Sequence, residues 1–203
     1  MAMECVPRWL KLTYTVLVVV LVPLFAWEYG LANFLWFSNI AVLGTLAAIW
    51  LDSRLLLSMM ALAAIVPDMG WNIAFLARLL FDVEMFGVVG YMFDPRIPLW
   101  ARAISLYHVP LPFLLVWLVW RRGYDPRAIY RQTGLAIIVL ILSYLVSEPY
   151  QNINMVYGPL DERRQPVVPP PAPLFVLLVV LPLIVYLPTH VVLTRWFRNE
   201  GKR

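Results

Sequence analysis

Residues 97–122 read IPLWARAISLYHVPLPFLLVWLVWRR, a run apolar enough to cross a bilayer that nevertheless carries His108 near its midpoint. An unpaired polar group in hydrocarbon costs several kcal/mol, so a histidine at that depth marks a functional site and requires a partner on another segment. Pro110 and Pro112 follow it directly. Each removes a backbone donor, so the helix should distort there and free carbonyls close to the imidazole.

Working outward, the whole chain has the same character. Its 203 residues are 62% hydrophobic and 14% charged, with mean hydropathy +0.76; soluble domains are closer to half apolar. About 20 apolar residues make one spanning helix. Six windows qualify: 9–27, 31–51, 54–80, 97–120, 130–148 and 173–196. The fold expected is all-α, a polytopic membrane protein of six transmembrane helices forming a single integral membrane domain over 1–203. Arg8 and Lys11 precede the first apolar run as in a secretory leader, but no small-x-small cleavage site follows, and the run reads as a retained helix ending on the aromatic anchor Trp27 and Tyr29. The lone Cys5 forms no internal disulfide.

With the N-terminus inside, the inner segments hold eleven of the sixteen basic residues, and Arg78, Arg96, Arg102, Arg163 and Arg164 fall outside. This follows the positive-inside rule and places both termini in the cytoplasm. The pI of 9.4 thus reports topology and contact with anionic lipid rather than nucleic-acid binding.

Polar residues gather at one depth. In the second window Ser38 and Asn39 lie about 10 to 12 Å from its outer end, at 1.5 Å per residue. In the third, Asp68 and Asn72 share a helix face beside Trp71, about 18 and 12 Å in, and Pro67 should kink the helix. His108, next to Tyr107, lies about 15 Å below the start of the fourth. After the fifth window come Glu148, Asn152 and Asn154, which either cap that helix or close the pocket from above. Residues 82–96, interrupted by Gly87 and Gly90, are too short for a span and should form a re-entrant or interfacial lid between helices 3 and 4. Segment 161–173 is a proline-rich connector, and His190, far from His108, should snorkel toward the inner headgroups.

This inventory suits acyl transfer. A serine hydroxyl is a weak nucleophile until an adjacent base takes its proton. His108 is the candidate base, Ser38 the nucleophile and Asp68 the group that orients the imidazole; Asn39 or Asn72 would donate to the oxyanion. Trp71, Tyr107, Glu148, Asn152 and Asn154 complete the expected substrate-binding set. No metal motif, phosphate loop or nucleophile elbow is present in the sequence, and no metal or cofactor is expected.

Six spans, the segment YGLANFLWFSN, the run His-Val-Pro-Leu-Pro-Phe and the aromatic-polar NINMVYGPL together resemble the androgen-induced and androgen-dependent transmembrane hydrolases and their bacterial six-helix relatives. The resemblance implies cleavage of fatty acid esters of hydroxy fatty acids by an intramembrane threonine and histidine, and a bacterial inner membrane as the location. His108 matches the family histidine; Ser38, in Trp36-Phe37-Ser38-Asn39, takes the threonine's role after a shift of register. The partners it implies are membrane lipid and a lipid-like substrate. Two other readings fit the residues alone: a transporter with a proton or cation path through Asp68, His108 and Glu148, and an accessory subunit whose polar residues serve only helix contacts.

Overall fold

In a computed structural model, residues 6–85, 87–159 and 165–200 are described, with side chains only as far as Phe197. Cys5, Leu160, residues 161–164 of the connector, and Lys202 and Arg203 lie outside the described residues. The chain folds as helices α1 (Arg8–Tyr29), α2 (Phe37–Trp50), α3 (Arg54–Phe81), α4 (Leu99–Ser105), α5 (Leu111–Arg122), α6 (Ala128–Val146), α7 (Ala172–Val180) and α8 (Leu187–Glu200). Short 3-10 turns join some of these, and a π-helical stretch, Leu181–Tyr186, makes α7 and α8 one continuous segment. Among the described residues the result is six helical passes, five long and apolar enough to cross a membrane. Exposed Val16, Leu79, Ile138, Leu145 and Ile184 give the bundle an apolar exterior, the surface a multi-pass protein turns to lipid.

Helix α3 is the central element. Half of its most apolar window is buried, more than in any other span, because it packs against α2, α5 and α6 together. Ser53 caps it, its hydroxyl accepting from Leu56 N–H at 3.2 Å. The helix continues through Pro67. Ala61, Ala63, Ala64 and Ala74 are fully buried along it, and such small residues let neighbouring helices approach closely.

Two of the expected spans are broken, and both breaks bear on the site. The second window begins as a 3-10 turn, Leu31–Leu35, leaves helical geometry at Trp36, and only then forms α2. At 14 residues α2 is about 21 Å long, short of a full crossing. The fourth window divides at a second 3-10 turn, Leu106–His108, before Pro110. Proline chemistry accounts for this break, whereas the one at Trp36 depends on a distant loop described below.

Between α3 and α4, residues 82–85 and 87–96 form no helix long enough to span a membrane. Asp82 ends α3 in the left-handed conformation, and a 3-10 turn, Gly90–Phe93, brings Val89 and Met92 onto Trp71 and Ala74. Arg78 fixes the rim, pairing with Asp82 at 3.2 Å and lying 5.9 Å from the Phe93 ring centre. This segment is called the lid below.

At the opposite end, buried Arg122 donates to the Asp52 carbonyl and pairs with its carboxylate, each at 3.1 Å, while the Arg54 guanidinium donates to the Tyr124 carbonyl. Asp125 N–H donates to Ser58 Oγ at 2.9 Å, and two hydrogen bonds from the Arg127 guanidinium hold the Asp125 carboxyl below its ordinary pKa. His190 does not snorkel. Its Nδ1 lies 2.7 Å from the Tyr124 hydroxyl, so the last span is tied to the α5–α6 turn.

Candidate functional site

Three side chains from three helical passes meet at one carboxylate oxygen. Ser38, in the first turn of α2, donates from Oγ to Asp68 Oδ1 at 2.8 Å, and His108 Nδ1 approaches that same oxygen at 3.2 Å. Where Asp68 is ionised its carboxylate can only accept, and the tautomer that fits this contact carries its proton on Nδ1. Asp68 is 1% exposed, and its second oxygen, Oδ2, is buried without a hydrogen-bond partner.

The imidazole is held on every side. Trp71 stacks against it at 4.6 Å between ring centres and Tyr107 at 4.3 Å. The His108 carbonyl is the one that Pro112 leaves without its i+4 donor, and Asn72 Nδ2 fills the vacancy at 2.9 Å. Tyr107 is fixed in turn: its hydroxyl donates to Asn39 Oδ1 at 2.7 Å, and Asn39 Nδ2 donates to the Asn33 carbonyl at 2.8 Å. With Nδ1 engaged and the ring clamped, Nε2 is the remaining nitrogen, and it makes no hydrogen bond among the described residues. The arrangement is an imidazole whose Nδ1 faces a buried carboxylate and whose Nε2 points away from it.

The order within the cluster differs from the expected one. Asp68, not His108, stands in the middle, and the Ser38 hydroxyl bonds the carboxylate instead of Nε2. Asn39 and Asn72 each spend an amide hydrogen on the scaffold that positions Tyr107 and His108, so their observed work is to hold those two side chains.

Among the residues after α6, Asn154 comes to the site's edge. Its Oδ1 accepts from Phe37 N–H at 3.1 Å, and its Nδ2 donates to the Leu35 carbonyl at 2.8 Å and to Ser143 Oγ at 3.1 Å. One side chain thereby satisfies both backbone groups exposed by the break at Trp36, and the break puts Ser38 at a helix start. Asn152 is used within its own loop, donating to the Gly158 carbonyl and accepting from Tyr157 N–H. Glu148 is exposed, and its N–H binds Gln151 Oε1. Neither of these two reaches the cluster.

Tyr107 also walls a groove of about 210 Å³ between α1, α2 and α5, lined by Tyr14, Leu17, Val42, Leu111 and Leu114. The groove is apolar and begins where the polar cluster ends.

Four residues near the lid were not among the expected site residues: Tyr29, read only as an anchor, Arg102, read only as a topology charge, and Ser105 and Tyr91. Ser105 lies three residues before His108, on its helical face, which was the available signal; Arg102, six before, is about a third of a turn away from that face. Burial pushes the Tyr91 phenol above its ordinary pKa, so it stays protonated.

Fold and site together define a multi-pass helical membrane protein with a buried Ser–Asp–His cluster near one end. No protein-family model, curated protein or solved structure matches the chain.

Proposed function

We propose that the protein is an intramembrane acyl-transfer enzyme that hydrolyses or transesterifies a lipid ester. The observation that carries this reading is the Asp68–His108 pair, with Nδ1 fixed at 3.2 Å and Nε2 left to accept a proton. In the reactive complex the Ser38 hydroxyl must leave Asp68 for Nε2; catalytic hydrogen bonds commonly tighten only in the complex. Oγ then attacks the ester carbonyl as its proton passes to His108. The tetrahedral intermediate expels the alcohol, which takes that proton, and leaves an acyl-serine. Water or a second alcohol repeats the sequence and frees Ser38. The acyl chain lies in the groove beside Tyr107. A proton path is less well supported, because α3 beyond Asp68 presents buried Ala64, Ala61 and Leu57 to the core.

A lipid-like fluorophosphonate is expected to label the detergent-solubilised protein at Ser38, and Ser38→Ala or His108→Ala to abolish labelling while thermal unfolding shows the fold intact. Undiminished labelling of folded Ser38→Ala would remove the nucleophile from the scheme.

We also place the protein in a cytoplasmic membrane with both termini inside, on the asymmetry of its basic residues. Cysteines introduced at Arg127 and Gln165 should react with an impermeant thiol reagent from opposite faces of the membrane. Reaction of both from one face would overturn this topology.

A further inference from the structure

The end of the bundle opposite the lid carries a second cavity, of about 440 Å³, lined by Val6, Arg8, Lys11, Leu12 and Trp50. It lies between the start of α1 and the end of α2, and its walls are of two kinds. Arg8 and Lys11, three residues apart on α1, are neighbours on the helix surface and supply two positive charges. Trp50 supplies a ring fixed in place: its indole N–H donates to Thr15 Oγ1 at 3.0 Å, and Lys11 Nζ stands 5.5 Å from its ring centre.

These cations are only partly compensated. The Lys11 side chain is 14% exposed, yet its ion-pair partner, Asp52 Oδ1, is 3.7 Å away, beyond hydrogen-bond reach. That same oxygen lies 3.1 Å from Nη2 of buried Arg122, so one carboxylate answers two cations. Arg8 makes no ion pair or hydrogen bond with the described residues. Three cations against one carboxylate leave an excess of two positive charges at the cavity.

Below the cations the same stripe of α1 turns apolar. Leu12 follows Arg8 by four residues, and Val16 and Val19 follow Leu12 by four and seven, so all of them share one face, and the three aliphatic side chains are exposed. At 1.5 Å per residue the stripe runs about 16 Å from Arg8 into the apolar layer. A site for an oxyanion with a path for an aliphatic chain directly beneath it matches the two halves of a phospholipid, and basic pockets between spans are where anionic head groups bind.

We propose that this cavity binds one anionic glycerophospholipid of the bilayer, with its phosphate on Arg8 and Lys11, its head group against Trp50 and an acyl chain along Leu12, Val16 and Val19. The site is at the other end of the bundle from the Ser38–Asp68–His108 cluster, and its occupancy is independent of acyl transfer.

The test is native mass spectrometry of the full-length protein in a neutral detergent, titrated with phosphatidylglycerol, phosphatidylcholine or inorganic phosphate. One phosphatidylglycerol per chain is expected to bind at least about tenfold more tightly than phosphatidylcholine, which has the same phosphate and chains but brings a cation of its own. Inorganic phosphate, having no chain, should bind far more weakly. Arg8→Gln and Lys11→Gln should each weaken phosphatidylglycerol about fivefold, the effect of one cation beside an anionic head group. Arg131→Gln removes a cation from the first turn of α6, at the same end of the bundle but outside the cavity, and should change the affinity less than about twofold. Arg8 is exposed, so Arg8→Gln keeps the comparison valid should Lys11→Gln disturb the pair with Asp52. Equal affinity for phosphatidylcholine overturns the charge recognition. Equal losses in Arg8→Gln and Arg131→Gln would mean a general attraction of basic surface to anionic lipid and overturn the site, and inorganic phosphate binding as tightly as phosphatidylglycerol overturns the lipid occupant.

Discussion

Replacing Asp68 by Asn is expected to leave the bundle folded and to lower acyl transfer about a hundred- to a thousandfold, the range for losing one preorganised electrostatic contact at a reaction centre. The argument begins with which oxygen is used. Ser38 donates to Oδ1, His108 Nδ1 lies 3.2 Å from the same oxygen, and Oδ2 has no partner. An asparagine can keep its carbonyl oxygen in the Oδ1 position and put its amide where Oδ2 stands, so both observed bonds survive and only the charge is lost. What then suffers, in the proposed reaction, is the imidazolium formed as His108 takes the serine proton, since among the described residues no other anion lies within hydrogen-bond reach of Nδ1. Asp68→Ala is the contrasting variant: it strands the Ser38 hydroxyl and the His108 N–H in a buried site and should reduce stability as well as rate. The measurement is single-turnover acylation by a chromogenic lipid ester, with unfolding followed in parallel. Asp68→Asn turning over at the wild-type rate would show that the carboxylate is structural.

The depth of this cluster was legible from residue counting alone. Spans of about 20 apolar residues have ends that can be placed to within a turn, and from those ends Ser38, Asp68, Asn72 and His108 fall at similar depths. The freed carbonyl was legible too, because proline's missing N–H names its own vacancy, and Asn72 bonds the His108 carbonyl as that logic requires. Rotation and hydrogen-bond order were not legible. Whether Ser38 faces the imidazole or the carboxylate depends on a few tens of degrees of helix rotation, set by how α2 packs on α3 and by the break at Trp36. That break has no local signature, since no proline or glycine occurs in residues 31–37. It is stabilised from over a hundred residues away by Asn154, and a polar residue after a span looks the same whether it caps its own helix or reaches another. Arg102 was hidden for a related reason: near a span's end, an arginine reads as a topology charge until its buried Nε and its neighbours are seen.

Asn154 itself yields the largest expected effect on stability. It sits at φ 53°, the left-handed region, within the turn Ile153–Met155, and its side chain makes three hydrogen bonds to groups around the Trp36 break and on α6. Substitution by Gly keeps the backbone conformation at no steric cost and removes all three bonds, leaving Phe37 N–H and the Leu35 carbonyl without partners. At about 1 kcal/mol for each unmet buried group, and somewhat less where lipid-embedded chains find other partners, a loss of about 2 to 3 kcal/mol is expected. Substitution by Ala removes the same bonds and adds a Cβ in the left-handed region, about 1 to 2 kcal/mol more. The order of stability should therefore be wild type, Asn154→Gly, Asn154→Ala, read from reversible denaturation in mixed detergent. Because the break fixes where α2 begins, Asn154→Gly should also slow acylation of Ser38 under conditions where the protein remains folded. Equal stability of Asn154→Gly and wild type would show that solvent, and not this side chain, satisfies the backbone at Trp36, and would detach Asn154 from the placement of Ser38.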